Sequence, residues 1–124
     1  MEDFNFKKFE GVGQKLENRI TVTSSNSFGF PGKFYMDEKL EDKKYLTIYF
    51  DEAKRAIALH FSADENEHNK FTVMKSKIGN GASVVATSFF RTYNIVAKNV
   101  RGRYVWERRD IEGIGAVYII KLPE

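Results

Sequence analysis

The sequence predicts a mainly β fold: a small β-barrel made of two β-β-α-β-β repeats with two short helices. Three observations carry this. Apolar residues alternate with polar ones in several short runs bounded by turn formers, as in Leu46, Ile48 and Phe50 followed by Ile57, Leu59 and Phe61. The order of elements over residues 19–61 recurs over 70–122. Eleven Phe, six Tyr and one Trp in 124 residues supply large side chains for a small core.

In the first repeat, Ile20-Thr21-Val22-Thr23 alternates with β-branched side chains, so Arg19 to Thr23 reads as a strand. Ser24-Ser25-Asn26-Ser27 are turn formers, and Phe28-Gly29-Phe30 returns as the second strand. Pro31 suits the first position of a helix, where its missing N–H costs nothing, and Phe34 and Met36 to Leu40 space a helix of about two turns. Tyr45 to Phe50 and Ile57 to Phe61 then form a hairpin across Asp51 to Arg55. The second repeat opens with Phe71-Thr72-Val73, turns through Lys75 to Gly81 and returns over Ala82 to Val85. Thr87 or Ser88 is expected to cap a helix with Phe89, Phe90 and Tyr93, which Asn94 ends in the left-handed region. A last hairpin is expected to pair Arg103 to Glu107 with Ala116 to Leu122 across Asp110 to Gly115.

The run Asn26-Ser27-Phe28-Gly29-Phe30-Pro31, a short helix ending at Leu40 and the hairpin behind it resemble an AbrB/MazE-type DNA-binding domain. The second copy resembles it from Gly81 to Ile95 without a gap. Asn26 and Gly81 stand where that family has its turn glycine, and Arg91 falls on the second place of its late-helix basic pair; Ser27 and Ala82 stand where it has a basic residue. The resemblance implies a swapped-hairpin barrel, normally closed by two chains and here closed by one, hence a monomeric pseudo-dimer. It also implies a DNA-binding transcription regulator.

Chain length fits one domain: an arm (1–18), the two repeats, and the polar linker 62–69 between them. The arm is expected to pack its phenylalanines on the barrel. Without cysteine there is neither a disulfide nor a thiolate site. No apolar run reaches the length of a membrane span and residues 1–18 do not read as a signal peptide, so a soluble cytoplasmic protein without membrane contact is expected. His60 and His68 offer no nucleophile–base spacing, Glu65, Glu67 and His68 read as a solvated turn, and the glycine pairs lack the setting of a phosphate loop. No catalysis, metal or cofactor is expected.

Charge is uneven. Residues 35–70 carry six basic and nine acidic side chains, whereas 71–124 carry nine and four, within a total of +3. Lys75, Lys77, Arg91, Lys98, Arg101, Arg103, Arg108 and Arg109 are the candidate nucleic-acid contacts, interleaved with Phe71, Tyr93, Tyr104 and Trp106. Three functions stay open: binding of nucleic acid, DNA before RNA; a protein-interaction module, an antitoxin-like or adaptor barrel using the acidic first repeat; and single-strand binding, favoured if Tyr93, Tyr104 and Trp106 stand exposed beside the arginines.

Overall fold

The computed structural model describes residues 3–8, 18–76 and 81–123. The described residues form ten strands and three short helices in the order β1 (Ile20–Val22), β2 (Ser27–Phe30), α1 (Gly32–Asp37), β3 (Tyr45–Asp51), β4 (Ala56–Ser62), β5 (Phe71–Thr72), β6 (Met74–Lys75), β7 (Ala82–Val85), α2 (Thr87–Thr92), α3 (Ala97–Val100), β8 (Gly102–Tyr104), β9 (Glu107–Ile111) and β10 (Gly115–Lys121). They build two antiparallel five-stranded sheets. The first has the order β6-β7-β2-β1-β8 and the second β5-β3-β4-β10-β9.

Each sheet takes strands from both halves of the chain. In the first, β2 pairs with β7 through Phe28 opposite Val84, and β1 pairs with β8 through Thr21 opposite Arg103. In the second, β4 pairs with β10 through Leu59 opposite Tyr118, and β3 pairs with β5 through Leu46 opposite Phe71. The pairing is reciprocal, since the opening strand of either half meets the strand after the helix of the other. Two segments serve both sheets. Phe71 to Lys75 passes from the second to the first at Val73, whose N–H donates to Lys44 O at 2.8 Å, and Gly102 to Ile111 passes back at Val105-Trp106.

The helices are short because their ends are fixed early. Lys39 (φ 58°) and Asn94 (φ 54°) adopt the left-handed conformation just past α1 and α2. The next N–H groups reach back, Leu40 to Tyr35 O at 3.0 Å and Ile95 to Phe90 O at 2.8 Å, which satisfies helix carbonyls and drives Leu40 and Ile95 into the core. Phe34 of α1 is fully buried and meets the rings of Phe30, Phe61, Trp106 and Tyr118 at 5.7, 6.3, 5.0 and 5.0 Å between centroids. Phe89 and Phe90 of α2 close on Phe28, and Phe89 also on Phe50. Thus α1 and α2 each pack on side chains from the opposite half, within one cluster running from Ile20 to Leu122. Gly81 is fixed by contact: a Cβ there would stand 2.7 Å from Phe30 O.

Several expectations need correction. Tyr104 belongs to the first sheet, so the last hairpin pairs Glu107 to Ile111 with Gly115 to Ile119 across Glu112 to Ile114. The alternation through Arg103 to Glu107 belongs to a strand that changes sheets, and Gly113 (φ 87°) and Gly115 (φ 108°) permit the tighter turn. A third helix, α3, had no sequence expectation; with four residues it bridges α2 and β8. Neither Thr87 nor Ser88 caps α2, which starts after Ala86 without a side-chain cap, and Pro31 precedes α1 as its N-cap residue. In the arm, Phe4 and Phe6 are 68% and 87% exposed and stack on each other, instead of packing on the sheets; Phe9 and Leu16 lie outside the described residues. Among the described residues no helix is long and apolar enough to cross a membrane.

Replacing Phe34 by Ala removes the ring that four others contact and should cost about 3–5 kcal/mol, as large-to-small changes at buried aromatics do. Lys33→Ala removes only an exposed pair with Asp37 at 3.0 Å and should cost less than about 0.5 kcal/mol. Urea unfolding of the two variants measures both, and similar midpoints would contradict the packing described.

Candidate nucleic-acid interface

The basic residues of the second half separate into groups once folded. Arg91 lies near the end of α2 and Lys98 in α3, both exposed and both favourably placed near helix C-termini. They face a groove of about 410 Å³ whose far wall is the β1–β2 turn of the first half. Ser24, Asn26 and Asn94 add polar groups to it, and Ile95 and Ala97 form its floor. The turn is held in place by main chain, since Ala86 N–H donates to Asn26 O at 2.8 Å, and Asn26 takes a left-handed φ of 63°. Thr23 Oγ1 lies 2.6 Å from Ser27 Oγ and stiffens the turn's base.

The chain continues from this groove through exposed Arg101 to Arg103, which sits on β8 opposite Thr21 of β1. Residues 91–103 therefore run beside the β1–β2 hairpin with four cations on the surface. Among the described residues Arg91, Lys98, Arg101 and Arg103 form no ion pair. Their charge is available to an anion.

The other candidates stand elsewhere. Lys75 ends β6, on the opposite edge of the first sheet from Arg103, with Nζ 5.9 Å from the centre of the Tyr35 ring. Lys77 lies outside the described residues. Arg108 approaches Glu38 at 3.7 Å on the α1 side of β9, and Arg109 binds Glu107 at 2.6 Å. Both arginines thus have a carboxylate of their own. Sequence spacing held the eight residues together; the sheet order sends Lys75 to one edge and 91–103 to the other, and no sequence signal located Glu38 beside Arg108.

The aromatic residues are mostly spent on structure. Tyr104 donates its hydroxyl to Val100 O, and Trp106 donates to Asn18 O while its ring meets Phe34 and Tyr118 at 5.0 and 5.3 Å. Tyr93 is 38% exposed against Phe50 and Phe89, and Tyr104 and Trp106 are half-buried in the lining of a groove beside β9. Tyr104 and Trp106 line that groove with Arg109, apart from the groove of Arg91 and Lys98.

His60 places Nδ1 2.8 Å from Ala116 O, and Glu65 and Glu67 accept hydrogen bonds from Tyr45 and Thr47 at 3.2 and 3.4 Å. Lys70 donates to the carbonyls of Glu65 and Glu67 and lies over the Tyr45 ring, so the linker is a pinned loop. The described residues contain no group of three or more metal-ligating side chains.

Two tyrosines tie this framework to pH. Burial pushes the Tyr118 hydroxyl up to about 12, with its hydrogen bond to Glu38 Oε1 at 2.9 Å in the same direction. Burial, then Glu41 and Asp42, pushes Tyr35 up to about 12 as well, and Tyr35 donates to Lys43 O.

No family model matches the chain, and no curated protein or solved structure does either.

Because both phenols ionise later in the fold than at their ordinary value of 10, their contribution to stability is complete below pH 10 and is lost as pH rises toward 12. Phenolate absorbance and near-UV circular dichroism, followed together, should show part of the tyrosine signal appearing only as the fold opens. All six tyrosines titrating near 10 in the folded protein would contradict the burial of Tyr35 and Tyr118.

Proposed function

We propose that the protein binds nucleic acid, duplex DNA in the first place, and acts as a transcription regulator in which one chain carries two AbrB/MazE-like halves. The observation that carries this reading is the set Arg91, Lys98, Arg101 and Arg103, which lines the groove and strip beside the β1–β2 turn and, among the described residues, has no carboxylate partner. Unpaired guanidinium and ammonium groups on a rigid frame neutralise phosphates and release counterions, the main source of affinity for a duplex. The β1–β2 turn adds Ser24 and Asn26 as neutral donors at the same height. The reciprocal pairing of the two halves supports the swapped-hairpin reading, as does the sharing of Phe71–Lys75 and Gly102–Ile111 between the sheets, which ties one sheet to the other. Duplex is put before single strand because the open cations Arg91 and Lys98 line a groove at the β1–β2 turn, whereas Tyr104 and Trp106 line a different one beside β9.

Fluorescence anisotropy with a duplex of mixed sequence, titrated across salt concentrations, tests the proposal. The triple variant Arg91→Ala, Lys98→Ala, Arg103→Ala should weaken binding to every sequence and lower the slope of log K against log salt by up to about three units, roughly 0.9 for each lost phosphate contact. The double variant Arg108→Ala, Arg109→Ala should change the slope much less, since both side chains are already neutralised. Absence of duplex binding at low salt by the intact protein, or equal losses in the two variants, would overturn the proposal.

A further inference from the structure

The second sheet ends on β9, and all five of its residues are exposed, so one side of that strand presents unpaired main-chain groups. Beside it opens a groove of about 620 Å³ on the sheet, with Ala58 and Ile119 in its lining, and Tyr49, Val105 and Ile111 left 38%, 72% and 36% exposed. Elsewhere on the same chain, Phe4 and Phe6 stand outside any helix or strand, exposed and stacked on each other. A free edge, an apolar groove and a free aromatic arm are three open valences of one kind.

The geometry points to arm exchange between two copies: residues 3–8 of one chain add as a strand to β9 of a second copy and lay Phe4 and Phe6 on its groove. Six extended residues span about 20 Å, enough to cover the five of β9. Antiparallel addition with Phe4 opposite Ile111 puts Phe6 opposite Arg109, Lys8 opposite Glu107 and Asn5 opposite Asp110. Both phenylalanines then share the face of the groove, one on an aliphatic residue and one under a guanidinium, and the lysine meets an opposite charge. The exchange also closes. Asn18 O accepts from Trp106 Nε1, so the chain leading to each arm passes the foot of its own β9. Two arms and two edges make an isologous pair with no free end. A second copy is the occupant because the arm's own chain leaves both rings open. The inference concerns a surface apart from the groove of Arg91 and Lys98 and does not rest on the nucleic-acid reading.

The chain has no cysteine, which makes directed cross-linking clean. Chains carrying only Asn5→Cys are mixed with chains carrying only Asp110→Cys and oxidised; directly opposed residues in an antiparallel pair lie within disulfide reach. A disulfide-linked heterodimer is expected at least tenfold above that from Asn5→Cys mixed with Lys33→Cys. It should be lost when Phe4→Ser and Phe6→Ser are added to the first chain, with circular dichroism unchanged because both rings are exposed. Equal cross-linking in the two mixtures would overturn the inference. So would a doubly substituted chain, Asn5→Cys with Asp110→Cys, that closes only within itself.

Discussion

The constraint on which the rest depends is that neither half of the chain can finish its own sheets. A two-stranded hairpin alone is marginal in water because one face and both edges stay open. Here β1–β2 gains β7 on one side and β8 on the other, and β3–β4 gains β5 and β10, all four from the second half. The same exchange appears in side chains: Phe34 of α1 needs Trp106 and Tyr118, and Phe89 of α2 needs Phe28 and Phe50. Burial of these rings and completion of the ladders are therefore one event, and no subset of elements accounts for the core by itself.

That coupling explains what the sequence reveals. Leu46, Ile48 and Phe50 facing Ile57, Leu59 and Phe61 are a local pattern, and the hairpin follows from it because period-two burial and a polar reversal are both written within eighteen residues. The left-handed exit at Asn94 is equally local; its counterpart at Lys39 is not, since a lysine carries no preference for positive φ and is held there by the burial of Leu40. Phe71 to Val73 reads as a strand and Lys75 as the start of a turn, whereas the chain bends at Val73 and Met74–Lys75 joins the other sheet, because the main-chain bond to Lys44 is set by tertiary pairing. The interface divides in the same way. Composition marks the second half as basic, but which cations remain open is decided by carboxylates such as Glu38, seventy positions from Arg108.

Two reciprocally paired halves in one chain also have a freedom that a symmetric dimer lacks. In an isologous pair both copies must present the same residue at matching places. Helix positions 55 apart correspond here, as in Phe34 with Phe89, Leu40 with Ile95 and Lys39 with Asn94, and Arg91 then corresponds to Met36, which is 54% exposed. The strands depart further: Phe28 and Phe30 are buried, whereas Ser83 and Val85 are not. Under the proposed reading, phosphate contact falls mainly on one half while the other is released to hold the frame, through Glu38 on Tyr118 and Arg108. A single chain would leave half of the contacts of a two-fold symmetric operator unanswered by such a surface, so any two-fold match to a target has to come from a pair of chains and not from the two halves of one.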